Sequence, residues 1–262
     1  MFPVADENFA RRAPLVTWLI IGLNVLVYLL CLRLSEQQLF ELHAHRGFVP
    51  ARIEQLTTRK PLEIPAGEVQ VRFGAGFVQH LQPVYLLRAD SREIYTSLIT
   101  SQFLHGGLLH LLGNMLFLYI FGNNVEDRLG HTGFLIFYIC GGIVASGFHW
   151  AIHSDSLLPT IGASGAVAAV LGAYFVTWPH ARVHILVPIF IFPLFFELPA
   201  WLVLGFWLAG QILEGIKVLN IDLGGGVAWW AHIGGFIFGA GVLALLNSRQ
   251  AARSPEKIAP RW

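Results

Sequence analysis

Long apolar segments separated by short polar ones dominate this chain. No Asp, Glu, Lys or Arg occurs at residues 94–125, 129–154, 156–181 or 223–248. A bilayer core about 30 Å thick needs about 20 apolar residues in a helix, and each of these windows can supply one. With an N-terminal apolar run and a proline-interrupted one, they predict an all-α polytopic membrane protein. The six expected spans cover residues 14–33, 102–123, 132–152, 162–179, 198–216 and 227–247.

The segments between the spans carry weaker patterns. The first connection, about residues 34–100, is long, and we expect an amphipathic helix near Glu36–Arg46 and a short strand in the alternating sequence GEVQVRFG at 67–74. Before the fifth span, ILVPIFIFPLFF at 185–196 contains two prolines. Because proline breaks a helix, this stretch is expected to be an interfacial or partly embedded lead-in.

Basic residues predict the orientation. They occur in the N-terminal tail, in the second and fourth connections and in the C-terminal tail, namely Arg11, Arg12, Arg128, Arg182, Arg249, Arg253, Lys257 and Arg261. With six spans these segments share one side, which the positive-inside rule makes cytoplasmic. The sequence therefore predicts a cell (inner) membrane protein with cytoplasmic tails at 1–13 and 248–262, a six-span domain at 14–247 and a long extracytoplasmic first loop.

Composition supports the membrane assignment and excludes other classes. The chain is 55% hydrophobic and 13% charged, whereas about a quarter of the residues of soluble domains are charged. A net charge of +1 argues against nucleic acid as a partner and leaves the lipid bilayer as the expected one. Cys31 and Cys140 lie in apolar runs and form no disulfide or zinc pattern, so no metal and no cofactor are expected.

Ser164 is the most informative polar residue within a predicted span. It follows Gly162 and precedes Gly165, at the start of the fourth span. Serine is common at helix interfaces in lipid because it is small, so a packing role is the simpler interpretation. Its position also suits a nucleophile, because unpaired backbone N–H groups at a helix N-terminus can stabilise an oxyanion.

A serine nucleophile needs a base, and His232 near the start of the sixth span lies at a matching depth. Gly235 and Gly239 follow it at helical spacing and would allow close packing against the face that carries Gly165 and Gly172. No acidic residue is placed to orient His232, so the pattern favours a Ser–His dyad.

His110 and Asn114 share one face of the second span, with His105 near its outer boundary. His110 and Asn114 can both donate hydrogen bonds to an oxyanion, although a polar contact that clamps two helices together explains this pair slightly better. Glu126 and its charged neighbours are expected to form a solvated helix end. There is no His-Glu-x-x-His motif and no pair of intramembrane aspartates, and GASGA at 162–166 is not Gly-x-Ser-x-Gly.

Three motifs in this order resemble the rhomboid family of intramembrane serine proteases over residues 102–246: His-x-x-x-Asn in span two, Gly-x-Ser-Gly opening span four and Ala-His-x-x-Gly in span six. The resemblance implies a six-helix rhomboid-like bundle with a water-accessible cavity. It implies Ser164 as nucleophile, His232 as general base and acid, and an oxyanion hole formed by His110, Asn114 and the Ser164 backbone N–H. Substrates would be single-span membrane proteins, which must unwind locally to expose a peptide bond.

The resemblance also implies a mobile gate made of the fifth span and the loop before His232. Trp201, Phe206 and Trp207 would then pack against the second span, and smaller substitutions there would raise activity. Ala168 departs from the family pattern, since many bacterial members have a tyrosine there that stacks on the histidine. Something else must orient His232. Residues 34–100 also lack the tryptophan that anchors this loop in some members.

Two other interpretations remain open at this point. A catalytically inactive rhomboid-like protein that binds membrane clients would need neither Ser164 nor His232. A channel would need polar residues along the whole bilayer path, whereas here they cluster in one half.

Overall fold

A computed structural model describes residues 2–8, 10–65, 69–73, 77–81, 84–189, 192–220 and 227–253. This part of the chain is mostly helical, with a few short strands. Its helices are α1 (Leu15–Cys31), α2 (Glu36–Arg46), α3 (Gln55–Thr58), α4 (Ser91–Thr100), α5 (Leu108–Leu129), α6 (His131–Ile152), α7 (Ser164–Thr177), α8 (Ala200–Asn220) and α9 (Trp229–Arg253). Its strands are β1 (Phe2–Asp6), β2 (Leu62–Pro65), β3 (Val69–Phe73), β4 (Phe77–Leu81), β5 (Val84–Leu87), β6 (Arg182–Ile189) and β7 (Phe192–Pro199).

Each predicted span contains a helix. Among the described residues, α5, α6 and residues 229–249 of α9 are long and apolar enough to cross a membrane, while α1 and α7 are shorter apolar helices. The second span was predicted to begin at 102, but its helix begins at Leu108. A 3-10 turn at Ser101–Phe103 and the pair Gly106 and Gly107 precede it. The chain is therefore a multi-pass membrane protein, in which the count of six spans stays a prediction.

Helix α7 forms the centre of the bundle. Residues 166–174 are all buried, and α7 packs against α5, α6 and α9. Glycines bring α7 and α9 into backbone contact. A Cβ atom would lie 2.0 Å from Phe236 O if added to Gly172 and 1.8 Å from Ala169 O if added to Gly239. The stripe of small residues read from the sequence lies at this interface, where any larger side chain would push the helices apart.

The proline-rich lead-in to α8 is not helical, as predicted, but it forms a β-hairpin. Strands β6 and β7 pair antiparallel, and β1 adds to β6 as a third strand. Asp6 fixes β1 to the bundle, since its Oδ2 accepts hydrogen bonds from Tyr174 Oη at 2.6 Å and Asn124 Nδ2 at 2.9 Å. Part of the predicted N-terminal tail thus belongs to a sheet.

The first connection folds into small elements of its own. The predicted helix at Glu36–Arg46 is confirmed as α2, with Ser35 and Gln38 forming a capping box at its start. The alternating sequence at 67–74 contains β3, which pairs with β4, while β2 pairs with β5.

Glu126 ties three helices together near the end of α5. Its carboxylate accepts hydrogen bonds from the backbone N–H of Val16 at 2.9 Å and from Thr17, through N–H at 2.7 Å and Oγ1 at 2.6 Å. His131 Nδ1 at the start of α6 lies 2.6 Å from the same carboxylate. Glu126 is 1% exposed, so the expectation of a solvated helix end was wrong for this residue. It caps the N-terminus of α1, where unpaired N–H groups and the helix dipole favour an anion.

Candidate active site

Ser164 is the first residue of α7, where a tight turn presents it to the site. Gly162 just before it has φ +121°, a conformation that side chains rarely adopt. A Cβ on Gly162 would also lie 2.7 Å from His110 Cε1 and Nε2. Glycine is therefore required both for the turn and for the close approach of His110. Because Ser164 opens the helix, the N–H groups of its first turn lack intrahelical partners.

His232 lies in the first turn of α9 and reaches Ser164. Its Nε2 is 2.8 Å from Ser164 Oγ, and the histidine is only 7% exposed. The two helices meet closely here, since a Cβ on Gly235 would lie 2.2 Å from Gly165 O. The structure thus brings together the serine and histidine that the sequence singled out. Their hydrogen bond has the distance that proton transfer between them requires.

The second ring nitrogen of His232 faces Gln211, which the sequence analysis did not identify. His232 Nδ1 is 2.5 Å from Gln211 Oε1, and Gln211 lies on α8 with 9% of its surface exposed. The missed signal was an uncharged polar side chain inside a predicted span, which is costly in lipid and therefore points to a partner.

Two tryptophans complete the surroundings of the His232 ring. Trp207 of α8 lies over it with ring centroids 6.0 Å apart and an interplanar angle of 32°, and Trp229 meets it edge-on at 6.1 Å. Ala168, which departs from the family pattern that the sequence resembles, is fully buried. Among the described residues, the aromatic contacts to the His232 ring come instead from Trp207 of α8 and Trp229 of α9.

The contacts of α8 differ from those implied by the gate expectation. Trp207 lies at a tilt against the ring of His232 and stacks on Phe236 of α9. Trp201 and Phe206, which were expected to pack against the second span, are 47% and 67% exposed. Smaller side chains at these three positions therefore have unequal consequences, because Trp207 alone of the three contacts a candidate catalytic ring.

The three polar residues around α5 lie at different places relative to Ser164. His110 lies against Gly162, and His105 contacts the His110 ring edge-on at 5.0 Å. His105 Nε2 also faces the backbone N–H of Ala163 at 3.5 Å. Asn114 is buried one turn along α5 and donates a hydrogen bond from Nδ2 to His110 O at 3.1 Å. This bond uses one of its two N–H donors and leaves the other for a ligand.

A narrow cavity lies behind Ser164 on the side of α6. Polar groups lining it come from Ser101, Gln102, Ser146, Thr160 and Ser164. Gln102 Oε1 is buried without a hydrogen-bond partner among the described residues. A polar cavity with a free acceptor is the kind of site that holds a water molecule.

One cluster with metal-ligand chemistry occurs among the described residues, on the β1–β6–β7 sheet. Glu7, His184 and Glu197 have ligand atoms within 4.8 Å of one another. His184 Nε2 lies 3.7 Å from Glu7 Oε1, and His184 Nδ1 lies 3.8 Å from Glu197 Oε1. Arg182 Nη1 forms a salt bridge of 3.0 Å with Glu197 Oε2. These contacts describe an ion-pair network in which both glutamates are exposed.

The chain is similar to several curated proteins. It is 29% identical over 151 residues to presenilin-associated rhomboid-like protein A, mitochondrial, of Danio rerio, covering 54% of this chain and 35% of that protein. It is 36% identical over 117 residues to Rhomboid protein 1, mitochondrial, of Saccharomyces cerevisiae, covering 43% and 33%. It is 30% identical over 179 residues to RHOMBOID-like protein 12, mitochondrial, of Arabidopsis thaliana, covering 62% and 49%. The matched region spans between a third and a half of these relatives.

These relatives correct the predicted location. The positive-inside argument placed the protein in the cell membrane with both termini cytoplasmic and the site opening to the extracytoplasmic side. That prediction was wrong, because the relatives are named as mitochondrial proteins. Short-segment charge compares the two sides of one bilayer and does not distinguish between membranes of different compartments.

A family model for the rhomboid domain matches residues 92–249. The match includes Ser164, His232, Gln211 and the α5 residues His110 and Asn114, and it covers more than half of the chain. This chain belongs to the rhomboid family.

Proposed function

We propose that this chain is an intramembrane serine endopeptidase that hydrolyses a peptide bond in or near the transmembrane segment of single-span membrane proteins. The observation that carries the proposal is the 2.8 Å contact between Ser164 Oγ and His232 Nε2 inside a buried site. A serine hydroxyl is a weak nucleophile until a neighbouring base accepts its proton. A protein that only binds clients gains nothing from this arrangement.

The proposed reaction begins at Ser164. Ser164 Oγ attacks the substrate carbonyl carbon while its proton passes to His232 Nε2. The carbonyl oxygen becomes an oxyanion beside the N-terminus of α7, where we propose that backbone N–H groups and the side chain of His110 donate to it; the closeness of His110 to Gly162 supports this. His232 then gives its proton to the leaving amine, which frees one product and leaves an acyl ester on Ser164.

Hydrolysis of the ester uses a water molecule in the same way. His232 Nε2 accepts a proton from water, the hydroxide attacks the ester, and the proton returns to Ser164 Oγ as the acid leaves. The polar cavity lined by Gln102 and Ser146 borders Ser164 and offers such a water a place. Six membrane spans would surround this site and keep bulk lipid away from it.

The two candidate side-chain donors to the oxyanion, His110 and Asn114, differ in their contacts. His110 approaches the turn that carries Ser164, whereas Asn114 is bonded to its own helix at His110 O. We therefore propose His110 and the Ser164 backbone N–H as the main donors, with Asn114 supplying its remaining N–H or orienting the α5 face. His105 supports the His110 ring.

The test is cleavage of a model single-span substrate by the purified chain in detergent and in liposomes. Cleavage by the wild type, with none by Ser164→Ala or His232→Ala, is the expected result, as is a fluorophosphonate adduct on Ser164. A metal chelator should leave the rate unchanged. Equal cleavage by wild type and Ser164→Ala would reject the mechanism. Binding of the substrate without any cleavage would favour the inactive, client-binding alternative.

A further inference from the structure

Gln211 offers His232 a hydrogen-bond acceptor on the side of the ring that faces away from Ser164. Its Oε1 lies 2.5 Å from Nδ1, and both side chains are nearly fully buried. A neutral imidazole carries one proton, so a donating Nδ1–H leaves Nε2 with a lone pair. An amide oxygen accepts hydrogen bonds and never donates them. The contact therefore selects the form of His232 that can accept the proton of Ser164.

We propose that Gln211 is the positioning residue of this site, a role that rests on the proposed protease function. Gln211 holds the His232 ring in the plane and the tautomer that point Nε2 at Ser164 Oγ. In serine hydrolases that have a third residue, a carboxylate performs this task. Here an uncharged amide performs it, which suits a site inside a membrane because a buried carboxylate would have to be desolvated.

The surroundings leave this task to α8. Ala168 offers the ring no polar atom and no aromatic face. Trp207 and Trp229 contact the ring through their aromatic surfaces, which restrict its tilt but do not choose between its two tautomers. Among the described residues, Gln211 is the one with a polar side-chain atom within hydrogen-bond distance of Nδ1.

The proposal connects the state of the site to a third helix. Ser164 and His232 lie on α7 and α9, whereas Gln211 lies on α8. When α8 is displaced, His232 loses its acceptor even if the Ser164 contact survives. Full reactivity of Ser164 therefore requires α8 to be in place beside α9.

Two substitutions distinguish the role of Gln211 as a hydrogen-bond acceptor from a role in filling space. Gln211→Met keeps the length of the side chain and removes its strong acceptor, and Gln211→Glu keeps an oxygen acceptor and removes the amide N–H donors. We expect Gln211→Met to lower kcat about tenfold or more, since an unpaired buried donor is costly, with KM nearly unchanged. The second-order rate of fluorophosphonate labelling at Ser164 should fall by a similar factor. Gln211→Glu should keep kcat and the labelling rate within about threefold of the wild-type values.

The matched control is Gly210→Ala, on the same turn of α8, where an added Cβ would meet no atom within 4 Å. It should leave cleavage and labelling unchanged and the thermal midpoint the same or slightly higher. A purely structural role for Gln211 would lower the thermal midpoint and move KM and kcat together, with no rescue by the glutamate. That outcome, or wild-type labelling by Gln211→Met, would overturn the proposal.

The labelling rate keeps the test decisive if the glutamate variant fails to fold, because Gln211→Met alone then shows whether the acceptor matters. Ser164→Ala serves as the separate reference. Cleavage that persists in Ser164→Ala rejects the proposed function whatever the Gln211 variants do. Cleavage that depends on Ser164 but not on Gln211 rejects only the positioning role.

Discussion

The contact between α7 and α9 allows a sharp prediction at Gly235. A Cβ added there would lie 2.2 Å from the carbonyl oxygen of Gly165, and real Cβ atoms essentially never come closer than 3.0 Å to another heavy atom. The obstacle is backbone, so it cannot be relieved by a rotamer change. In Gly235→Ala the start of α9 must therefore move away from α7, by about 1 Å.

That movement falls on the reacting atoms. Gly165 follows Ser164 directly, and Gly235 is one turn from His232, so the 2.8 Å contact between Oγ and Nε2 would lengthen beyond hydrogen-bond distance. A misplacement of about 1 Å in an active site can cost about 100-fold in rate. We expect Gly235→Ala to lose about 100-fold in kcat and in fluorophosphonate labelling.

The control is Gly241→Ala on the same helix, where a Cβ meets nothing within 4 Å. It should cleave like the wild type and unfold at the same temperature or slightly higher, because alanine favours helix over glycine. Cleavage and labelling are measured on variants that elute as the wild type in gel filtration. Wild-type rates in Gly235→Ala would refute the argument that backbone contact sets the Ser164–His232 distance.

Three further changes have directions set by particular contacts. Trp207→Ala uncovers the His232 ring and should lower kcat about tenfold. A simple gate predicts the opposite, so faster cleavage by this variant would refute the expectation. Glu126→Gln should lower the thermal midpoint with little effect on labelling, because it weakens a buried carboxylate cap, a cost of about 1–3 kcal/mol; an unchanged midpoint would refute it. Burial raises the pKa of Glu93, but hydrogen bonds from His45 and Arg52 outweigh burial and leave the pKa below its ordinary value. The contacts of Glu93 with His45 and Arg52 therefore stabilise the first connection fully at pH values above the ordinary carboxylate pKa. This stabilisation is lost as the pH falls through the lowered pKa of Glu93. Limited proteolysis at a series of pH values measures this loss. In Glu93→Gln the susceptibility of the first connection to protease should depend less on pH in the acid range.

The positions of the helices could be predicted from the sequence because lipid imposes a length on apolar segments. The matching depth of Ser164 and His232 followed from the same reasoning, since Ser164 opens α7 and His232 lies in the first turn of α9. The small residues on both helices indicated a close contact, and the structure shows backbone atoms touching at Gly172 and Gly239. These inferences depend on local periodicity, which a single sequence records well.

Other contacts depend on how helices rotate and which distant segments meet. The pairing of β1 with β6 joins residues about 180 positions apart, and nothing in the sequence of β1 specifies that partner. Glu126 looked like a charge at a solvated helix end because its neighbours are charged, but the start of α1 covers it. Gln211 was recognisable only as a polar residue in an apolar span, since its partner depends on the rotation of α8 about its axis.

The two kinds of helix contact at the site have different consequences for function. Between α7 and α9 the glycines put backbone against backbone, so the separation of the two helices beside Ser164 and His232 does not depend on side-chain conformation. Between α8 and α9 the contacts are made by side chains, such as Gln211 with His232 and Trp207 with Phe236. Moving α8 away from α9 breaks these side-chain contacts and leaves Ser164 beside His232. If a substrate helix enters beside α8, the nucleophile and base stay together while the acceptor at Nδ1 is withdrawn. Under the proposed protease function, the return of α8 to α9 around an unwound substrate would restore the acceptor, so that full reactivity would return when the peptide bond is in place.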